Sequence, residues 1–354
     1  MSTRVSAVLA ELKLPIIVAP MAGGPTTPQL VAAAHAAGGL GFFAAGSDTP
    51  EKLMRDVRAL QQRPHVSFGV NLFAPQDQIP SRNDVEILLQ ALRPVYATTD
   101  QSVPDAEQVM STTDFTNGWD AKLEFLLNVG GKDSGLKAVS VSFGCFSDEE
   151  IAAIHNAGLE AWVSVTTAHE AGIAAERGAD ALIVQGYHAG GHRLCWDATV
   201  TPKEQCTYQL IADILPVVPN MPLVAAGGVR TPQQTTELLT QPQVAAVQCG
   251  SAFLLCDEAG TSDINREMLT QCVEENTGES VTTRAFSGRF ARGLATAFTK
   301  SHPELPPTYP LVAKLLAGFR NDPQTAYCLV GSNPELLRSG TAAEIIAFLM
   351  RDFL

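Results

Sequence analysis

A glycine-rich turn near the middle of the chain holds the side chains best suited to chemistry. It follows the apolar run 181–184 and reads Gln-Gly-Tyr-His-Ala-Gly-Gly-His-Arg at 185–193. Histidine titrates near neutral pH, so it can accept or donate a proton under physiological conditions. The two glycines before His192 could place its ring against a flat ligand. We therefore predict that His192 is the acid/base residue, with His188 on the same turn as the second candidate.

Met21, Asn71 and Gln185 stand at the ends of three apolar runs. An amide donates and accepts at once, which suits a ring that carries donors and acceptors on one edge. A single amide at such a place more often satisfies loop backbone, and this alternative stays open for each of them. Two amides with a methionine, which could lie against a flat ring, favour a heterocyclic ligand.

Small residues follow the last two apolar runs, at Gly227, Gly228, Gly250 and Ser251. Glycine lets the backbone approach an anion closely, so that backbone N–H groups can bind it. In barrels of alternating strands and helices, the loops after the last two strands commonly hold a phosphate. The two turns together predict a cofactor that carries a phosphate.

Eight apolar runs must position these residues, and helix-period segments separate most of them. The runs are 16–21, 41–45, 65–73, 138–142, 160–165, 181–184, 222–226 and 245–249. Strict alternation of strands and helices predicts parallel pairing with right-handed crossovers. Eight such units close into an α/β (β/α)8 TIM barrel, whose active site lies at the carboxyl ends of the strands. The alternative is an open doubly wound sheet, which normally stops at about five to seven strands.

Two regions break this alternation. Residues 75–128 contain no good strand, and helices are predicted at 84–92 and 113–127. The chain after residue 253 is predicted to be helical to its end and is longer than barrel closure needs. We assign 1–74 and 129–256 to the barrel. We assign 75–128 and 257–354 to a helical insertion and a C-terminal helical cap over the barrel mouth.

Composition narrows the classes of partner and the compartment. The 354-residue chain has a formal net charge of -13 and no basic run, which argues against nucleic acid or an anionic membrane surface. It contains no apolar stretch of about 20 residues and no signal peptide, so we expect no membrane span. Seven scattered cysteines without a C-x-x-C pair favour reduced thiols and a cytoplasmic location. No metal-ligand spacing occurs, a small-molecule substrate is expected, and a homodimer is left open.

Short motifs spread over residues 14 to 320 point to a known family. They read Ala-Pro-Met-Ala-Gly-Gly at 19–24, Phe-Gly-Val-Asn-Leu-Phe at 68–73, the turn at 185–193, Ala-Ala-Gly-Gly-Val at 225–229, Gln-Cys-Gly-Ser at 248–251, Thr-Arg-Ala-Phe-Ser-Gly-Arg-Phe-Ala-Arg-Gly at 283–293 and Tyr-Pro at 309–310. Together they resemble the nitronate monooxygenases, formerly called 2-nitropropane dioxygenases. Ala-Gly-Gly-His-Arg at 189–193 is the most specific of them.

The resemblance implies a barrel that holds non-covalent FMN and oxidises alkyl nitronates, such as propionate 3-nitronate, with O2. The products would be a carbonyl compound and nitrite. His192 would be needed to deprotonate a neutral nitroalkane and less needed for a ready-made nitronate. Eight of the predicted cofactor contacts are implied by the resemblance, and Met21 and Gly227 are added because of their positions at strand ends. The full set is Met21, Asn71, Gln185, Gly190, Gly227, Gly228, Gln248, Cys249, Gly250 and Ser251.

The chain departs from the family pattern in the same turn. His188 stands where the family usually has Glu, and Leu194 stands where it usually has Gly, with Trp196 close behind. These changes leave the flavin site intact and put the substrate in question; the predicted substrate pocket is His188, Trp196 and Tyr309. Two other functions therefore stay open. One is an FMN-dependent NAD(P)H reductase of quinones or enoyl thioesters, and the other is a flavin-binding protein without turnover.

Overall fold

A closed barrel of eight parallel strands forms the body of the molecule, as the sequence predicts. In this computed structural model, residues 6–63, 65–76, 78–131 and 134–353 are described. The strands are β1 (Ile16–Val18), β2 (Leu40–Ala44), β3 (Phe68–Phe73), β4 (Leu136–Ser142), β5 (Glu160–Val165), β6 (Ala181–Gln185), β7 (Gly191–His192), β8 (Leu223–Ala226), β9 (Val244–Cys249), β10 (Ser280–Thr283) and β11 (Ala291–Leu294). The barrel order is β1-β2-β3-β4-β5-β6-β8-β9, and β9 pairs with β1 to close it.

Helices alternate with the barrel strands and form an outer layer. They are α1 (Ala7–Ala10), α2 (Pro28–Ala36), α3 (Pro50–Gln61), α4 (Arg82–Tyr96), α5 (Ala106–Ser111), α6 (Trp119–Val129), α7 (Asp148–Asn156), α8 (Ala168–Arg177), α9 (Thr207–Ile214), α10 (Pro232–Leu239), α11 (Asp263–Glu274), α12 (Ala297–Ser301), α13 (Leu311–Leu315) and α14 (Ala342–Met350). Thr27 is the N-cap of α2, because its hydroxyl accepts a hydrogen bond from the Leu30 amide at 3.0 Å. No described helix is long and apolar enough to cross a membrane.

Alternate residues of the strands fill the barrel interior. Ile17, Phe42 and Trp162 belong to one buried apolar cluster there, since every second side chain of a strand points to the same face. Leu9 of α1 joins this cluster. The hydroxyl of Ser6 donates to Glu160 at 2.6 Å, and the Trp162 indole donates to the same carboxylate at 2.8 Å. The N-terminal helix therefore closes the end of the barrel at which β5 begins.

The insertion after β3 packs in two ways. Residues of α4 and α5 share a cluster with residues that follow the barrel, and the Tyr96 hydroxyl donates to the Leu315 carbonyl at 2.9 Å. Helix α6 of the insertion instead packs in the cluster that surrounds the barrel strands, as Leu123 shows. The C-terminal helix α14 packs in the same cluster through Ile345. Helix α5 lies between the two helices predicted for the insertion, where the sequence predicted none. The division into barrel and helical regions stays a prediction.

A small antiparallel sheet was not predicted from sequence. Strands β10 and β11 lie within the region that was expected to be helical, and β11 also pairs with β7. The register sets Ala291 opposite His192 and Arg292 opposite Gly191. This sheet holds the segment after the barrel directly against the turn that carries His192.

Candidate active site

A cavity lies at the carboxyl ends of the barrel strands, with an empty volume of about 1170 Å³ that includes its opening to solvent. His192 lies in its wall, and so do all ten predicted cofactor contacts. They are Met21, Asn71, Gln185, Gly190, Gly227, Gly228, Gln248, Cys249, Gly250 and Ser251. The structure therefore gathers into one wall residues that are far apart in sequence. Their roles toward a cofactor stay predictions.

Asn71 belongs to a layer of polar side chains near the carboxyl ends of the barrel strands. Its Nδ2 atom lies 2.9 Å from the Ser140 hydroxyl oxygen and 3.2 Å from that of Ser142. Ser142 and Ser164 are 3.2 Å apart through their hydroxyl oxygens. The amide is thus held in one orientation. The serines could have been found in the sequence, because they alternate with apolar residues in β4 and β5.

Gln185 holds the turn that follows it. Its Nε2 atom donates to the His192 carbonyl at 2.9 Å, and its Oε1 atom accepts from the Leu194 amide at 3.0 Å. The buried Arg193 guanidinium donates to the Gly186 carbonyl at 2.6 Å. For Gln185, the structure thus agrees with the alternative in which the amide satisfies loop backbone. The consequence is that strand β6 fixes the position of His192.

His192 is buried among aromatic rings and bonds to one hydroxyl. Its Nε2 atom lies 2.7 Å from the Ser287 hydroxyl oxygen. The ring centres of Phe143, Tyr309 and Phe73 lie 5.6, 5.7 and 6.0 Å from that of the imidazole, all edge-on. Ser287, which sequence analysis missed, lies 95 residues away along the chain, and the pairing of β11 with β7 brings its segment to His192.

Burial keeps the imidazole neutral. Loss of solvent lowers the pKa of His192 to about 3, and the positive charge of Arg289 adds to this effect. Arg289 is itself buried and donates to Gln76, at 3.0 Å, and to the carbonyls of Cys195 and Trp196, at 2.8 and 3.1 Å. The imidazole is therefore neutral at physiological pH, which is the state that a general base requires, and Arg289 places positive charge near it.

Glycines of the turns after β6 and β8 line the same cavity and leave room for an anion or a ring edge. Gly227 and Gly228 have φ values of +110° and +82°, a region in which side chains are strained. A β-carbon at Gly190 would collide with the backbone at Gly331. The Gly331 amide donates to the Ser251 hydroxyl at 2.9 Å, which closes this end of the cavity.

The donor set fits a flavin. Gln248 is buried in the cavity wall, and its Oε1 atom has no hydrogen-bond partner among the residues that the structure describes. Such an atom costs free energy unless a ligand satisfies it, and the edge of an isoalloxazine ring carries a suitable N–H donor. Among the described residues, no cluster of three or more histidine, cysteine or acidic side chains could hold a metal ion.

The three residues predicted for the substrate pocket lie beside this cavity. Tyr309 contacts the His192 ring, one layer behind the wall. The Trp196 indole donates to the Ser164 carbonyl at 3.1 Å and packs on the barrel cluster. His188 borders a second cavity, of about 580 Å³, that shares Gly227 and Gly228 with the main one. Leu194, in contrast, lines the main cavity itself.

Comparison with known proteins decides the family. A family model described as nitronate monooxygenase matches residues 6–352. The chain belongs to the nitronate monooxygenase family. A probable nitronate monooxygenase of Staphylococcus saprophyticus is 30% identical to it, over 98% of this chain and 96% of the relative. Another, of Bacillus subtilis, is 29% identical over 82% and 79% of the two chains.

Solved structures agree with this membership of the nitronate monooxygenase family. A nitroalkane oxidase from Streptomyces ansochromogenes superposes with a TM-score of 0.87 at 32% identity, covering 99% of this chain and all of the other. FabK from Thermotoga maritima superposes with a TM-score of 0.71 at 22% identity, which shows a shared fold. The proteins of this family are flavoenzymes, so the chain is a flavin-dependent oxidoreductase.

Proposed function

We propose that the protein binds FMN and oxidises alkyl nitronates, such as propionate 3-nitronate, with O2 to a carbonyl compound and nitrite. One observation carries this proposal within the family. A buried and neutral imidazole, that of His192, lies in the wall of a cavity that glycine-rich turns also line. When bound, FMN would accept electrons from the substrate and pass them to O2.

The residues that would hold FMN follow from the cavity wall. The unpartnered Gln248 side chain would bind the polar edge of the ring, and Met21 would lie against its face. The turn at Gly227 and Gly228, together with Ser251, would bind the phosphate through backbone amides and the hydroxyl. This assignment places the ring between the polar layer of the barrel and the turn at His192.

His192 would act on the proton at the carbon next to the nitro group. The neutral imidazole accepts this proton from a nitroalkane, and the Ser287 hydroxyl at Nε2 orients the ring. Proton transfer forms a nitronate anion beside an imidazolium, so each charge stabilises the other. A substrate supplied as the nitronate has already lost this proton and does not need the base.

The surroundings of His192 favour an anionic organic substrate. Phe73 and Leu194 line the cavity, and Phe143 lies beside Phe73, so water is excluded from this end. The buried Arg289 guanidinium lies 4.2 Å from the centre of the Phe143 ring and supplies positive charge that acts on His192. In a dry site this field attracts the nitronate more strongly than it would in water.

The NAD(P)H-dependent reductase remains the alternative, and Leu194 is the observation that favours it. This residue replaces a smaller one of the family pattern and lines the main cavity, so it changes the space that a substrate occupies. The shared fold with FabK is compatible with either reaction. The chemistry of the products separates the two.

A product assay tests the proposal. Purified protein reconstituted with FMN and mixed with propionate 3-nitronate in air is expected to consume O2 and release nitrite, and omission of the protein gives the background rate. NADH or NADPH with a quinone or an enoyl thioester serves as the matched reaction of the alternative. Rapid oxidation of the pyridine nucleotide without any nitrite from the nitronate would contradict the proposal.

A further inference from the structure

Arg230 is a buried cation for which the described part of the protein supplies no acceptor. It follows β8, is only 4% exposed and lies in the wall of the main cavity. Its guanidinium donates no hydrogen bond to any described residue, and its Nε atom is buried without a partner. The other buried arginines differ, because each donates to a carbonyl oxygen: Arg193 to Gly186, Arg289 to Cys195 and Arg292 to Tyr187.

An unpaired charge at such a depth calls for an anion. Burial lowers the pKa of Arg230 to about 10, so the guanidinium still carries its charge at neutral pH. Arg292 disfavours this charge and Glu335 favours it, but no described carboxylate forms an ion pair with the guanidinium. Removing a charge from water costs several kcal/mol unless a counter-charge compensates for it. The described protein provides no such counter-charge in contact.

The neighbours of Arg230 are suited to a phosphate. The residue comes two positions after Gly228, whose left-handed backbone shapes the glycine turn. A β-carbon at Gly331 would collide with the guanidinium, and the Gly331 amide already bonds to Ser251. The cation therefore lies where the turn after β8, the turn after β9 and the segment around Gly331 converge.

We propose that Arg230 binds the phosphate of FMN and makes the site select FMN over riboflavin. This inference rests on the proposed use of FMN and adds a charged residue to a phosphate site that was predicted only from backbone amides. A planar guanidinium can donate two parallel hydrogen bonds to phosphate oxygens. Riboflavin lacks the phosphate, so it would leave Arg230 unpaired.

Binding of the two flavins to FMN-free protein tests the assignment. The dissociation constants of FMN and riboflavin are measured by flavin fluorescence for the wild-type protein, Arg230→Met and Arg230→Lys. We expect Arg230→Met to bind FMN about 30-fold more weakly and riboflavin equally well, with Arg230→Lys between them. Arg292→Met is the matched control, because Arg292 is a buried neighbour that already has acceptors; it should keep the preference for FMN.

Stability provides a second readout. Arg230→Met removes an uncompensated buried charge, so the melting temperature of the FMN-free protein should not fall, while the increase on adding FMN should shrink. If Arg230→Met does not fold, Arg230→Lys must still show a reduced preference for FMN. An unchanged ratio of the two dissociation constants in the Arg230 variants would overturn this assignment alone. Failure of the wild-type protein to bind either flavin would overturn the proposed function and the assignment with it.

Discussion

His192→Asn is expected to lower the turnover of neutral nitroalkanes about 1000-fold and to lower that of nitronates less than about 10-fold. The imidazole is the proposed base in the cavity wall, and a neutral nitroalkane must lose a proton before it can be oxidised. Asparagine is polar and can still bond to Ser287, but it cannot accept the proton. Steady-state assays with a nitroalkane and with its preformed nitronate give the two ratios.

The control for this prediction is the flavin content. Gln185 and the β11 pairing hold the backbone at residue 192, so the variant should bind FMN as the wild-type protein does. Equal losses on the two substrates, with FMN still bound, would show that His192 does not act as the base. Loss of FMN from the variant would show that residue 192 supports cofactor binding instead.

His192 should also make the protein sensitive to acid. Its pKa is about 3 in the folded protein and near 6.5 when unfolded, so the unfolded chain binds the proton more tightly. The stabilisation from keeping this imidazole neutral is complete above the unfolded pKa and is lost as the pH falls toward 3. Acidification from pH 7 to 4.5 should therefore lower the unfolding free energy of the wild-type protein by about 2.5 kcal/mol through this residue.

Urea unfolding of FMN-free protein at several pH values measures this cost. Other groups titrate in both proteins. The informative comparison is therefore how steeply the unfolding free energy changes with pH in the wild-type protein and in His192→Asn. The variant should lose less stability on acidification, whatever its stability at pH 7. Parallel pH profiles would mean that the imidazole is accessible to protons in the folded protein.

The sequence predicted the barrel and the wall of the cavity because both depend on local patterns. Short apolar runs that alternate with helix-period segments allow few arrangements other than parallel units. Once the strands close, residues at their carboxyl ends must meet, which brought Asn71, Gln185 and Gln248 together without any contact information. Glycine turns after β8 and β9 were recognisable for the same reason.

The rest of the site depends on pairing between distant segments. Ser287 and Arg289 reach His192 because β11 pairs with the two-residue strand β7, and strands this short leave no periodic signal. Arg230 did have a signal, as a cation directly after a glycine turn. Its significance appeared only with its burial and missing acceptors. Gln185 shows the converse. It was predicted to contact the cofactor, but its amide bonds to the backbone of the turn at His192 and Leu194.

Anaerobic mixing of the FMN-loaded protein with propionate 3-nitronate tests the central claim most directly. Without O2 the electrons cannot leave the flavin, so the nitronate should remove the yellow flavin absorbance, and admission of air should restore it with release of nitrite. NADH and NADPH in parallel samples should leave the absorbance unchanged. Rapid bleaching by a pyridine nucleotide, with no response to the nitronate, would contradict the account and favour the reductase.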